Sequence, residues 1–153
     1  MMEKRFNVRV YGLVINDQNE LLVSDEYIKG IQFTKFPGGG LEWGEGIKDC
    51  LIREFQEELS QQVEVREHFY TTDYFQVSAF RETDQLISIY YKVKLVGELQ
   101  FEVKTKPFDF PDETGTQFEV QRWVPIKDLN PNDFRWPVDK LVVEKIISLE
   151  ARS

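Results

Sequence analysis

From Pro37 to Ser60 the chain reads PGGGLEWGEGIKDCLIREFQEELS, and this stretch decides the fold. Gly38, Gly39 and Gly40 open the backbone to conformations that residues with a Cβ avoid, and they mark a tight turn after a strand. From Ile47 the period changes. Ile47, Leu51, Ile52, Phe55 and Leu59 fall on one side of a helix at roughly 100° per residue, a buried stripe. Beside that stripe Glu54, Glu57 and Glu58 occupy an arc of about 100°. On a solvated helix, lysines four residues away would offset such a cluster. Here positions 50, 61 and 62 hold Cys50, Gln61 and Gln62, so the arc reads as uncompensated. A hard divalent cation would compensate it, because Mg²⁺ takes carboxylate oxygens and keeps waters and substrate phosphates in its other positions. A solvated acidic face is the plainer reading of three glutamates. The glycines before the helix and Arg53 within it favour a metal site whose other half is the substrate.

Outward from the helix the pattern is that of strands. Upstream, Phe6, Val8, Val10, Gly12 and Val14 alternate with Asn7, Arg9 and Tyr11, which predicts a half-buried strand over 6–15. Asp17-Gln18-Asn19 predicts a turn into a second strand at Leu21–Ser24. A loop through Gly30 leads to a short strand over Phe33–Phe36. Downstream, strands are predicted at Val63–Val65, Tyr70–Ala79, Leu86–Val96 and Phe118–Val124, with a long loop over Lys104–Thr116 and a turn over Pro125–Leu129. Pro137 opens a terminal helix carrying Val138, Leu141, Val142, Lys145 and Ile146. The expected architecture is α/β, a mixed sheet with one helix early and one at the end, in a single domain spanning 1–153.

Composition narrows the function classes. The formal charge of −8 repels phosphate at long range, so an anionic substrate needs metal ions to supply positive charge, and no Lys/Arg-rich run suggests nucleic acid. No apolar run approaches the ~20 residues of a membrane span, and Met1 to Arg9 lacks the apolar stretch of a signal peptide, so no membrane partner is expected. With a single cysteine, Cys50, a cytoplasmic location is expected. Cys50 reads as a small residue where helix meets loop, not as a nucleophile or ligand, and His68 as a surface or strand residue. Tyr27, Phe108, Phe110, Phe134 and Trp136 sit in or near loops, where packing is the commoner role and base stacking the sharper one. The Lys-Ser/Thr ending of a P-loop is absent, so the glycines are read as a backbone turn beside the metal.

The central stretch resembles the Nudix box, G-x5-E-x7-R-E-U-x-E-E-x-G-U with U aliphatic or aromatic, on Gly39, Glu45, Arg53, Glu54, Phe55, Glu57 and Glu58. Six invariant letters at ~5% each would coincide by chance at roughly 10⁻⁸ per starting position, so the match is specific. The resemblance implies a Nudix-type α/β/α sandwich with a mixed β-sheet, and Mg²⁺-dependent hydrolysis of a pyrophosphate bond in a nucleoside diphosphate linked to another moiety, with Mn²⁺ as a substitute. It implies Glu54, Glu57, Glu58 and the Gly38 carbonyl as metal ligands, Glu54 as the group that positions or deprotonates water, and an Arg53–Glu45 salt bridge that fixes loop against helix. A further carboxylate from a later loop or strand is common in the family, with Glu119 the first candidate and Glu113 the second. Lys35, Gly39 and Gly40 are candidate substrate contacts. The partner implied is a nucleotide-like small molecule, and a homodimer stays open.

The alternative is a non-catalytic Nudix-like nucleotide-binding or sensor domain. Intact Arg53, Glu54, Glu57 and Glu58 favour catalysis, and regulators of that kind carry an added DNA-binding domain for which 153 residues leave no room. The stretches that single out ADP-ribose, dinucleoside polyphosphate and NADH hydrolases are absent. Ser60 and Gln61 replace the last glycine and aliphatic residue of the box, which predicts a differently shaped helix exit or a longer helix.

Overall fold

The structure is a computed structural model and describes residues 3–112 and 115–152. In chain order the elements are β1 (Arg5–Leu13), β2 (Glu20–Ile28), β3 (Ile31–Lys35), β4 (Gly38–Gly40), α1 (Ile47–Leu59), β5 (Val63–Thr71), β6 (Asp84–Leu95), β7 (Val103–Lys104), β8 (Gln117–Pro125) and α2 (Pro137–Glu150). Single 3-10 turns at Ile126–Asp128 and Pro131–Asp133 precede α2. The chain forms two compact units, one of Met1–Leu13 with Gly38–Gln100 and one of Val14–Pro37 with Phe101–Ser153. The expected mixed sheet is present twice, once in each unit.

In the first unit the sheet order is β4-β1-β6-β5. β1 and β6 run parallel, while β4 and β5 pair antiparallel with their neighbours. β4 is an edge strand made only of glycines, with Gly38, Gly39 and Gly40 paired to Tyr11, Val10 and Arg9. Helix α1 buries Cys50, Leu51, Phe55 and Leu59. Phe55 explains why a glycine stands inside β1, because a Cβ on Gly12 would meet the ring at 2.8 Å. Ile52, placed on the stripe by its period, is instead exposed, and Cys50 takes the buried position. The separate strands expected at Val63–Val65 and Tyr70–Ala79 are one strand, β5, that ends at Thr71. Its exposed middle, Arg66 to His68, carries register shifts against β6 that break the alternation a sequence reader looks for.

In the second unit the order is β3-β2-β8-β7, with β7 and β8 parallel. β2 is longer than its apolar segment suggests and continues through buried Asp25 and Glu26 to Ile28. It turns into β3 through Lys29 and Gly30, both at positive φ (51° and 82°), the two-residue hairpin whose twist suits its strands. Phe36 stacks on Phe134 at 5.3 Å between ring centroids, and α2 buries Val138, Val142, Val143 and Ile146. Phe134 is therefore a core residue. Tyr27, Phe108 and Phe110 join Phe118 in an aromatic cluster with centroid separations of 6.0–6.3 Å, and Trp136 packs against Phe33. Each of the five packs against another aromatic ring.

The helix exit departs from its expectation. α1 ends at Leu59, and Ser60 itself takes the left-handed conformation (φ 51°, ψ 30°) that a glycine would take. Its N–H donates to the Gln56 carbonyl and the Gln61 N–H to that of Phe55. The reason lies in Gln61, which is fully buried. Its amide donates to the carbonyls of Gln62 and Val96, and its oxygen accepts from the Gln100 N–H. These bonds hold the chain after α1 in the tight exit, against the local preference of serine.

Candidate active site

The first unit brings the glycine edge, the 41–46 loop and the polar face of α1 together around Arg53. Arg53 Nε and Nη2 donate to both oxygens of Glu45, at 2.9 and 2.7 Å, a planar fork on a carboxylate. Nη2 also donates to the Gly40 carbonyl at 3.1 Å, and Nη1 to Glu54 Oε1 at 3.0 Å and Glu57 Oε2 at 3.1 Å. Glu42 lies 3.7 Å from Nη1, and its N–H donates to Glu45 Oε1. One guanidinium thus faces four carboxylates. The expectation of an uncompensated arc, based on the lack of a lysine at helical spacing, is corrected here. Arg53 offsets part of the cluster because it stands one residue before Glu54 and four before Glu57.

The hydrogen bonds from Arg53 and from the Glu42 N–H hold the Glu45 carboxyl down to about 2. The same carboxylates raise the Arg53 guanidinium above its ordinary value. Burial, followed by the neighbouring Glu45, pushes the Cys50 thiol up to about 12. That thiol is buried and donates to the Gly40 carbonyl at 3.5 Å, the place of a packing residue.

The glycines are required by contact. Gly38 sits at φ 151° and Gly39 lies against Glu54, where a Cβ would stand 2.5 Å from each carboxylate oxygen. The Glu54 carboxylate therefore rests directly on bare backbone. Among the described residues no three His, Cys, Asp or Glu side chains converge as a ready-made metal cage. Glu54 and Glu57 each give one oxygen to Arg53, which leaves Glu54 Oε2 and Glu57 Oε1 outside those bonds.

Lys35 and Glu119 belong to the second unit. Lys35 Nζ lies 2.9 Å from Oε2 of buried Glu26, and Glu119 stands opposite Glu26 on β8, accepting from Gln121 at 3.3 Å. Glu113 lies outside the described residues. His68 is an exposed strand residue 2.7 Å from the Thr71 hydroxyl. Two neighbours of the Arg53 cluster went unread in the sequence, Glu42 and Arg9. The signal for Glu42 was its place three residues before Glu45 in a turn. For Arg9 it was a cation at an alternating position of β1, which pairing sets opposite Gly40.

Comparison with known proteins finds relatives along nearly the whole chain. An RNA pyrophosphohydrolase of a Nitratiruptor species is 28% identical over 163 aligned positions, covering 94% of this chain and 95% of the relative. The solution structure of the E. coli ORF135 protein superposes with a TM-score of 0.71 at 17% identity, covering 97% of this chain and 94% of that one. A NUDIX hydrolase from Nitrosomonas europaea gives 0.68 at 20% identity, with 94% and 90% covered. At these identities the structural likenesses speak for the fold alone. No helix among the described residues is long and apolar enough to cross a membrane. The sequence profile of the NUDIX domain matches residues 5–145, so the chain belongs to the Nudix family.

Proposed function

We propose that the chain is one catalytic domain that hydrolyses, with Mg²⁺ or Mn²⁺, a pyrophosphate bond in a nucleoside diphosphate linked to another moiety. The observation that carries the reading is the imbalance at Arg53, where one guanidinium faces Glu42, Glu45, Glu54 and Glu57 and leaves a net negative site built only of oxygen donors. Such a donor set suits a hard divalent cation and does not suit zinc, which favours nitrogen and sulfur. The family profile over residues 5–145 runs through both units, which supports a single domain. Nudix hydrolases as a family use divalent metals and act on nucleotide-like small molecules.

Glu54, Glu57, Glu58 and the Gly38 carbonyl would hold the cation. When bound, the cation supplies Lewis acidity, lowering the pKa of a water and neutralising charge on the phosphates. Glu54 orients the attacking water and takes its proton, from a carboxylate that rests on Gly39 and is steadied on its other oxygen by Arg53. Arg53 ties Glu45 and the 41–46 loop to α1, so the ligands are in place before substrate arrives. Water adds to one phosphorus and the bridging P–O bond breaks. The products are a nucleoside monophosphate and the phosphorylated second moiety, or pyrophosphate from a nucleoside triphosphate.

The test is a substrate panel with Mg²⁺, containing nucleotide sugars, nucleoside triphosphates, dinucleoside polyphosphates and coenzyme A. A 5′-triphosphorylated RNA joins it, because one relative is named for RNA. At least one member should be hydrolysed, and chelation should abolish the reaction. Glu57→Gln should lower turnover roughly 10²-fold or more, at or beyond the upper end of the 10–100-fold typical of groups that only support a ligand. Mg²⁺ should raise the melting midpoint of the wild type more than that of the variant. Undiminished hydrolysis after chelation, or an inert wild type across the panel, would overturn the proposal.

A further inference from the structure

Arg9 stands across from Gly40 in the β1–β4 pair, on the side of β1 opposite Val10 and Gly12. A Cβ on Gly12 would touch Phe55 of α1, so the helix covers one face and Arg9 occupies the other. Its guanidinium lies over the bare edge strand on that other face. Nη1 lies 3.2 Å from where a Cβ of Gly40 would be, and the carbonyl of the same Gly40 accepts from Arg53. Two guanidinium groups therefore flank one glycine. They differ in what they hold. Arg53 is spent on carboxylates, whereas Arg9 makes one side-chain hydrogen bond among the described residues, from Nε to the Tyr11 hydroxyl at 3.2 Å. Tyr11 also faces the guanidinium with its ring, 5.9 Å from the centroid, and is itself braced on fully buried Tyr90 at 5.4 Å. No carboxylate among the described residues lies within ion-pair distance of Arg9, although Glu54 and Glu58 are close enough to help keep it charged after Tyr11.

A preorganised arginine with both Nη groups uncommitted, beside a carboxylate cluster that would hold metal, is fitted to an oxyanion with two acceptor atoms. The non-bridging oxygens of a phosphate match that fork, and a lysine in the same place would offer only a point charge. Gly39 turns its bare side to Glu54 and Gly40, the next residue, turns its own to Arg9, so only the side-chain-free backbone of β4 lies between the guanidinium and that carboxylate. On a chain of net charge −8 this cation supplies what the substrate's second phosphate lacks after the metal has neutralised the first. We infer that Arg9, positioned by Tyr11, binds the phosphate of the pyrophosphate group that is not attacked. The inference rests on the proposed function and assigns a substrate-binding residue that the box motif does not contain.

The test uses the full chain and separates this assignment from the reading it rests on. Mn²⁺ binding is measured first by electron paramagnetic resonance. Then methylenediphosphonate, a pyrophosphate mimic with no P–O–P bond to cut, is titrated calorimetrically in saturating Mg²⁺. Arg9→Ala should bind Mn²⁺ as well as or more tightly than the wild type, since a cation near the site has gone, while methylenediphosphonate binding weakens by about tenfold or more. Arg9→Lys should recover part of that loss, and Tyr11→Phe should weaken binding by a few-fold. Arg9→Lys keeps the charge and the stem, so a fold defect in the alanine variant leaves the comparison intact. Methylenediphosphonate affinity within twofold of wild type in both Arg9 variants, with Mn²⁺ binding intact, would overturn the assignment of Arg9 alone. A wild type that binds no Mn²⁺ would overturn the metal reading and this one with it, before any variant is made.

Discussion

Each unit contains an arginine that holds a carboxylate through two nitrogens, and the two pairs have opposite accounts of charge. In the second unit Arg122 meets Asp25 at 2.8 and 3.0 Å, and Asp25 also accepts from the Thr34 hydroxyl at 2.8 Å and the Phe108 N–H at 3.0 Å. One cation faces one anion, four donors fill its two oxygens, and Asp25 is wholly buried. In the first unit Arg53 meets Glu45 with similar geometry but must also serve Glu42, Glu54 and Glu57, of which Glu42 and Glu57 are well exposed. A balanced, satisfied and buried pair has nothing left to offer a ligand, and its duty is to clamp the loop at Phe108 onto β2. An unbalanced pair open to solvent keeps a negative field, which costs stability and attracts cations. The geometry of an arginine–carboxylate contact therefore says little about its role. The number of charges it leaves over says more.

The sharpest way to break this comparison is to remove the arginine from each side. Arg122→Ala strands Asp25 in the interior and should destabilise the protein by about 3–5 kcal/mol, read as a fall in the denaturant midpoint. Arg53→Ala leaves its carboxylates nearer water, so its stability loss should be clearly smaller, and on the proposed function its turnover should fall by about 10²-fold through the misplaced loop. Equal stability losses would erase the distinction. The same variant has a pH signature. Glu45 is held low in the folded protein, so its contribution is present above the ordinary carboxylate range and is lost as pH falls through that range to about 2. Without Arg53 the Glu45 titration followed by NMR should move up toward the ordinary value, and a midpoint still near 2 would show that the backbone bond from Glu42 is enough by itself.

A smaller effect tests whether the irregular exit of α1 belongs to the site. Ser60→Gly relieves a left-handed serine and should stabilise the chain by about 0.5–1 kcal/mol with turnover unchanged. A loss of turnover in that variant would mean that the serine's strained exit is part of what the carboxylates need.

What the sequence determined by itself is local. The period of Ile47, Leu51, Phe55 and Leu59 placed α1, the change of period after the glycines placed its start, and the spacing of Arg53, Glu54, Glu57 and Glu58 carried the family resemblance, because each depends on neighbours within a turn or two of chain. Tertiary structure alone decided the rest. Asp25 and Arg122 are 97 positions apart, and until they meet, Asp25 and Glu26 look like the end of a strand instead of its buried middle. Gln61 meets Gln100 across 39 positions, which is why Ser60 could take a glycine's place without lengthening the helix. Arg9 acquires its neighbours only when β1 pairs with the glycine edge. Periodicity is written in the hydrophobicity of adjacent residues, whereas the partner of a buried or site charge is chosen by contacts between distant segments, which no local pattern encodes.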